Sequence, residues 1–556
     1  MNSLAETIDR LRRGEHGART AWFVLGPAIV VAAALILYYG RHSWFSIDEA
    51  TWISDSPGLG LSGALEPHVG HLVLIPRLVY KVLLSTVGTD YLAFRLLTVA
   101  AIALCTALFF TWARRRVPDF VASAFSLPIL LFAYDPLHLI AGNGFTVLFA
   151  LSCGIAALIA WDRRDRAGDV AALVFLLLGC ATYTVALPFA AGLLFAAVLE
   201  RPRSRVWVGL VPIVLYLAWR ALGNVSGSDP AAGGSDWTNL LLLPAWSFQG
   251  IAGVLASWSG LNIDFATGDT LQPGTGVGPA LAVIALGGLG WRIATRGGSN
   301  WLWLTIVIAL ALFAAQTIAW GGIERYPEMP RYLYPGLIVV LLIAVEAARG
   351  FDWSRAAFIG LWIMTAISLM TAFYLLREKS DQLALKGEQT RAEITAVTLL
   401  GQTPGAPAAS GQPRLRLTDG FDPTRGAAYG YLGYAPSSLS SRPAWVGEAV
   451  DRFLFQSLHP QLSSSVPFQK DLCQPLERAN GRFELPLPRD GAVITSQTDA
   501  EIRLGRFGSG SKLKLGTVSP GSPRLLDIPI DPNRKSWFVT SEVPGVSICP
   551  TEATGQ

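Results

Sequence analysis

The sequence predicts a polytopic α-helical membrane protein of about eleven spans, followed by an exported, β-sandwich-like domain at its C-terminal end. Three observations predict it. Hydrophobic residues make up 51% of the 556 positions and charged residues only 15%, against about 25% charge in soluble domains. The apolar excess is gathered into segments of membrane-spanning length and ends near residue 377. Arg-rich runs occupy alternate connections between those segments, as expected of a chain that crosses a bilayer repeatedly. This composition excludes a water-soluble enzyme and a disordered, collagen-like or coiled-coil chain. A net charge of +4 leaves no general grip on nucleic acid. The 18 Trp suit interfacial belts.

The first twenty residues are polar and basic, with Arg10, Arg12, Arg13 and Arg19. The apolar run 21–39 follows; it lacks an A-x-A cleavage site and is too long for a signal h-region, so it reads as a retained helix. Further spans are expected at 92–113, 120–134, 144–161, 168–183, 185–200, 206–222, 277–295, 300–320, 335–349 and 356–377. Those at 120–134, 168–183 and 185–200 are short for a hydrocarbon core of about 30 Å. Lipid offers the backbone no partners, so every true span should be helical. Arg114 to Arg116, Arg163/Arg164/Arg166, Arg201/Arg203/Arg205, Arg292/Arg296 and Arg349/Arg355 all fall on the side of the basic N-terminus. That side is the cytoplasm by the positive-inside rule, and an odd number of spans exports everything after 377. The Arg-over-Lys, Ala/Gly-rich usage suggests a GC-rich bacterium, which places the chain in an inner (plasma) membrane. Residues 239–258 are apolar but carry Pro244 and Gln249; they read as a re-entrant or interface-lying element, because a span there would break the charge alternation.

Three regions are expected: a transmembrane catalytic domain over 1–377, a helix and Pro/Gly/Ala/Ser-rich linker over 378–413, and an exported β-rich domain over 414–556. Short alternating runs at 492–495, 501–504, 512–515 and 537–540 suggest the strands of a small sandwich. Cys105, Cys153 and Cys180 lie in spans as small buried thiols. Cys473 and Cys549 are the only two in the exported region, where an oxidising compartment would pair them.

Candidate chemistry lies on the outer side. The first outer loop opens with SIDEATW, placing Asp48 and Glu49 at the mouth of a span. Low-dielectric surroundings raise carboxylate pKa values, which suits a general base working near neutral pH; solvated interface acids or a helix cap are the plainer alternative. Next comes EPHVGHLVLIPRLVYKVL. Read as an amphipathic surface helix, it puts His68 and His71 on one face, continued by Arg77 and Lys81, with Glu66 at its start. Such a face could hold a phosphate or serve merely as polar decoration; two His alone are weak evidence for zinc. The late loop IERYPEMPRYLYP sets Arg325 and Arg331 among Tyr326, Tyr332 and Tyr334. Arg grips phosphate with two donors and Tyr anchors at headgroup level. Asp135 is a further outer acid, or the start of an Asp-Pro turn. No G-x-x-x-x-G-K-[ST] and no strand-borne G-x-G-x-x-G faces the cytoplasm.

This layout resembles the GT-C superfamily of membrane glycosyltransferases. The likeness rests on the long first outer loop with its Asp48–Glu49 pair, the helix expected within that loop, the further acid Asp135, the Arg/Tyr-rich late loop and the large C-terminal domain. Among members with such a domain are bacterial arabinofuranosyl- and mannosyltransferases of cell-envelope assembly. The resemblance implies a polyprenyl-phosphate-linked sugar as donor, a glycan or lipid as acceptor, and membrane lipids as surroundings. It gives Asp48 the base role with Glu49 in support, and turns His68, His71, Arg77, Arg325, Arg331 and Tyr332 toward the donor phosphate. The sequence has no clear D-x-D in its second outer loop, so a divalent metal stays an open question. Tyr429, Tyr431, Tyr434 and Trp445 are expected either to hold the acceptor glycan or to form core. A flippase of a lipid-linked glycan and a non-catalytic envelope scaffold are the alternatives. The spans carry almost no interior charge and no repeat, which disfavours transport.

Overall fold

A computed structural model describes residues 2–13, 18–45, 47–134, 136–200, 203–222, 236–261, 276–319, 326–401, 432–479, 482–486, 492–507, 513–528 and 537–551. Of the expected residues, Asp135, Arg325, Tyr429 and Tyr431 and the linker 403–413 lie outside these. The chain divides into two compact units. One gathers Met1–Ser43 with Leu59–Ala384; the other gathers Trp44–Gly58 with Leu385–Gln556.

The first unit is a helical bundle. In chain order its helices are α1 (Asn2–Arg13) and α2 (Ala18–Tyr39), then, past α3 (Ile47–Asp55) of the second unit, α4 (Leu61–Leu65), α5 (Leu74–Val87), α6 (Tyr91–Ala113), α7 (Asp119–Leu130), α8 (Pro136–Ile140), α9 (Gly144–Trp161), α10 (Arg166–Thr182), α11 (Leu187–Leu199), α12 (Val206–Leu222), α13 (Leu243–Ser259), α14 (Gly278–Arg296), α15 (Asn300–Ile318), α16 (Pro330–Ala347) and the first part of α17 (Arg355–Gly401). All eleven expected spans appear as helices. Among the described residues, eight helical stretches are long and apolar enough to cross a membrane. Seven coincide with expected spans. The eighth, Trp237–Ser259, is the stretch expected to be re-entrant. Pro244 does not interrupt it: the proline sits in the first turn of α13, where its missing N–H would be unpaired anyway. At the other extreme, α7 has 12 residues, about 18 Å of helix, and every side chain from Phe120 to Leu130 is buried. It is packed inside the bundle rather than exposed to lipid.

Helix α17 is unbroken over 47 residues, about 70 Å and more than twice the hydrocarbon thickness. The expected span 356–377 and the expected polar helix 380–400 are one element.

The second unit combines α3, the C-terminal part of α17, the helix Ala444–Leu458 and ten short strands: β1 (Gln461–Ser464), β2 (Gln474–Pro475), β3 (Glu477–Ala479), β4 (Arg482–Pro486), β5 (Ala492–Ser496), β6 (Ala500–Gly505), β7 (Leu513–Val518), β8 (Arg524–Asp527), β9 (Phe538–Ser541) and β10 (Val546–Pro550). They form two five-stranded antiparallel sheets, ordered β1-β8-β5-β10-β2 and β3-β4-β9-β6-β7. Alternate residues point inward. Ile494, Leu526 and Ile548 of one sheet share a core with Ile502, Leu504 and Val539 of the other, and with Ala396, Leu400, Val450 and Leu454 of the two helices. The four expected strands match β5, β6, β7 and β9 within three residues. A disulfide joins Cys473 to Cys549, with Cα atoms 4.0 Å apart and a sequence separation of 76. On the chain-entropy model such a loop stabilises by about 4 kcal/mol. Asp451 accepts the backbone N–H groups of Arg506 and Phe507, each at 2.9 Å, fastening the end of β6 to the helix Ala444–Leu458.

Candidate functional site

The two ends of the helical unit differ. At one end the basic loops are bonded together. Arg355 and Arg12 hold Asp9 of α1, and Arg12 also donates to the Trp353 carbonyl at 2.7 Å. These bonds, Arg355 first, keep the half-buried Asp9 carboxyl below the usual carboxylate range. Arg116 pairs with Glu346, which is fully buried, and its guanidinium lies between the rings of Trp112 and Trp301, 4.2 and 4.3 Å from their centroids. Arg115 reaches Asp162 at 3.4 Å. Arg205 pairs with Asp169 at 2.6 Å and covers the Trp161 ring at 3.3 Å. Arg292 and Arg296 donate to the carbonyls of Ala347 and Gly350. The five basic loops and the N-terminal helix therefore share one end, as the charge alternation requires.

The opposite end carries the expected site residues of this unit. Here the structure corrects the helix expected from Glu66 onward: helix begins only at Leu74. Residue Glu66 precedes Pro67 and so avoids helical backbone, and Gly70 takes φ +77°. His68 and His71 instead close a two-residue turn, exchanging backbone hydrogen bonds at 3.0 and 2.9 Å. Val69, between them, has φ +48°, a strained setting for a β-branched residue. The His71 ring meets the Thr184 hydroxyl through Nδ1 at 3.0 Å and lies 4.6 Å from the Tyr183 ring. Arg220 donates to the Gly70 carbonyl at 3.4 Å, and Trp219 donates to Leu65 at 2.8 Å. Glu66 is exposed. Arg77, expected on a phosphate-facing stripe, is buried; its Nη1 donates to the carbonyls of Gly63 and Glu66, both at 2.6 Å. Lys81 likewise donates to Leu59. These cations brace the loop's own backbone.

At the start of α16, Arg331 is exposed and lies 5.1 Å from the half-buried Tyr332 ring. Tyr334 is buried and donates its hydroxyl to the Ile129 carbonyl. The sequence alone does not single out Glu328 in this loop, nor Tyr183, Thr184 and Arg220. The Glu328 Oε1 accepts from Gln249 of α13 at 3.1 Å, and burial pushes its carboxyl above the usual glutamate range. Arg220 left a signal, being a lone arginine at the end of a span on the side where arginine is scarce.

The acid pair belongs to the second unit. Asp48 and Glu49 occupy the first turn of α3. Glu49 is fully buried and Asp48 is half-buried, so adjacent carboxyls have different access. In the same unit Tyr434 is core and Trp445 is 37% exposed. Among the described residues no cluster of three or more His, Cys, Asp or Glu is placed to hold a metal ion.

No family model matches the chain, and no curated protein matches it. Among solved structures it is similar to ArnT from Cupriavidus metallidurans bound to undecaprenyl phosphate, at 15% identity and a TM-score of 0.43 over 73% of this chain and 85% of that one. It is similar to the apo state of the same protein, at 15% identity and a TM-score of 0.43, over 74% of this chain and 85% of that one. It is also similar to the oligosaccharyltransferase of Archaeoglobus fulgidus in complex with zinc and sulfate, at 13% identity and a TM-score of 0.37 over 68% of this chain and 55% of that one.

Proposed function

We propose that the chain is an inverting membrane glycosyltransferase that moves a sugar from a polyprenyl-phosphate donor to an envelope glycan or lipid acceptor on the outer face of the membrane. The observation that carries this reading is the asymmetry of the helical unit: His68, His71, Arg220 and Arg331 collect at the end away from the bonded basic loops. Cations at the margin of an apolar bundle suit a ligand with a phosphate head and a hydrocarbon tail.

The reaction is one displacement. Asp48 takes the proton of the acceptor hydroxyl as that oxygen bonds to the anomeric carbon. The bond from that carbon to the carrier phosphate breaks, and its electron pair leaves on the phosphate oxygen. Arg331, Arg220 and His71 offset the charge that develops there. Attack opposite the leaving group inverts the anomeric centre. Glu49, buried in the first turn of α3, supports Asp48. The bonded basic end lies in the cytoplasm and the C-terminal unit is exported, where it holds the acceptor. Arg325, Asp135 and the aromatics Tyr429 and Tyr431 remain with this proposal as further donor and acceptor contacts.

The test is transfer by the purified full-length chain supplied with a panel of polyprenyl-phosphate sugars, alongside Asp48→Asn. Sugar-specific transfer that Asp48→Asn abolishes supports the reading. Movement of a lipid-linked glycan across vesicles without transfer would replace it with a flippase. A reporter fused after Gln556 that is active only in the cytoplasm would overturn the topology.

A further inference from the structure

Within the second unit, four side chains form an alternating ladder of rings and cations. The Arg391 guanidinium of α17 lies 4.2 Å from the Trp44 ring centroid and 4.3 Å from that of Tyr434, and Arg442 lies 5.0 Å from Tyr434. Trp44 in turn meets Phe45 edge-on at 5.1 Å, and Phe45 is buried two residues before α3 begins. One helical turn beyond Arg391, Thr395 receives the Tyr434 backbone N–H at 2.7 Å. A Cβ on Gly433 would come within 2.3 Å of the same hydroxyl oxygen, so the segment approaches α17 at a distance only glycine allows. The segment that carries Asp48 and the segment carrying Tyr434 thus meet at a single guanidinium.

We propose that Arg391 is a positioning residue for transfer: stacked between Trp44 and Tyr434, it holds the start of the acid-bearing helix α3 against α17. The inference rests on the reading of Asp48 as base. A planar guanidinium can present a face to each of two rings, whereas an ammonium is a compact point charge without such faces. Loss of the guanidinium would leave the fold standing but widen the range of positions open to Asp48, and small misplacements of a reacting group cost rate steeply.

The experiment uses the full-length protein in lipid and two readouts. Arg391→Gln should speed amide hydrogen exchange over 47–55 while protection in the helix Ala444–Leu458 and in β5 and β6 stays native. It should lower kcat about tenfold with the KM for donor unchanged, and Arg391→Lys should recover part of both effects. Tyr434→Leu, which removes one ring, should act in the same direction and not add fully to Arg391→Gln. Unchanged exchange over 47–55 in Arg391→Gln overturns the proposal. So does an equal loss for Gln and Lys accompanied by loss of protection throughout the unit. If Asp48→Asn retains transfer, the base assignment fails, and the exchange comparison still decides whether Arg391 holds α3.

Discussion

The two ends of the helical unit use arginine for opposite purposes. At the basic end Arg116, Arg205 and Arg355 are closed onto carboxylates, and Arg116 and Arg205 also onto indole rings. At the other end Arg331 stands exposed and Arg220 reaches a turn carbonyl. The difference teaches that a basic loop reports topology without reporting function. Of the charges that set orientation, Arg116 and Arg205 are satisfied internally once the helices pack, while Arg355 keeps part of its surface open as Arg331 does.

The largest expected effect concerns the acid pair of the second unit. Asp48→Asn keeps the side chain's shape and removes its basicity, so transfer should fall about 10²–10⁴-fold with donor binding and thermal stability near normal. Glu49→Gln should cost less in rate. A dead Glu49→Gln enzyme beside an active Asp48→Asn enzyme would reverse the two roles.

The closed side should respond in stability rather than rate. Arg116→Ala leaves the buried Glu346 with only Arg349, 3.9 Å away, at a cost of about 3–5 kcal/mol, read as a lower melting temperature in detergent. Arg116→Met combined with Glu346→Leu should regain most of that loss, because the buried charge is gone. If the single variant melts like the wild type, the closed end is not the brace described here.

Arg331 sharpens the contrast between the ends. Arg331→Ala should weaken donor-lipid binding about tenfold and Arg331→Lys less, since only the guanidinium offers two parallel donors to one phosphate. Equal affinity for all three proteins would remove Arg331 from the site.

The smallest effect concerns Glu328. Its carboxyl holds a proton to higher pH in the folded chain than in the unfolded one, because burial disfavours the charged form. Its contribution to stability is therefore complete below the ordinary glutamate range and is lost as pH rises through the raised value. Wild type should lose protection around 326–330 over that interval, and Glu328→Gln should not. Parallel pH profiles would show that another group titrates there.

Much of the architecture was legible because lipid imposes a coarse rule: apolar length and the placement of arginine decide where a chain can cross and which loops share a side. The pairing of Cys473 with Cys549 was similarly readable, since only two cysteines lie in that region. One error has a local cause: periodicity suggested one helix over 66–83, but Pro67 and Gly70 close the 68–71 turn first. Charge alternation argued against a span at 239–258; the stretch is helical, and Pro244 falls in its first turn, where proline is tolerated.

The sequence by itself determined the helical bundle, the common side of its basic loops and the strand-rich C-terminal region, because each follows from hydrophobicity, charge and spacing along the chain. Only the tertiary structure decided which charges are spent on the chain itself. Whether Arg77 meets a ligand or two backbone carbonyls, whether Asp48 or Glu49 is buried, and whether Arg391 lies between two rings depend on residues far apart in sequence. Burial and hydrogen-bond partners are properties of that packing, and no periodicity within one segment encodes them.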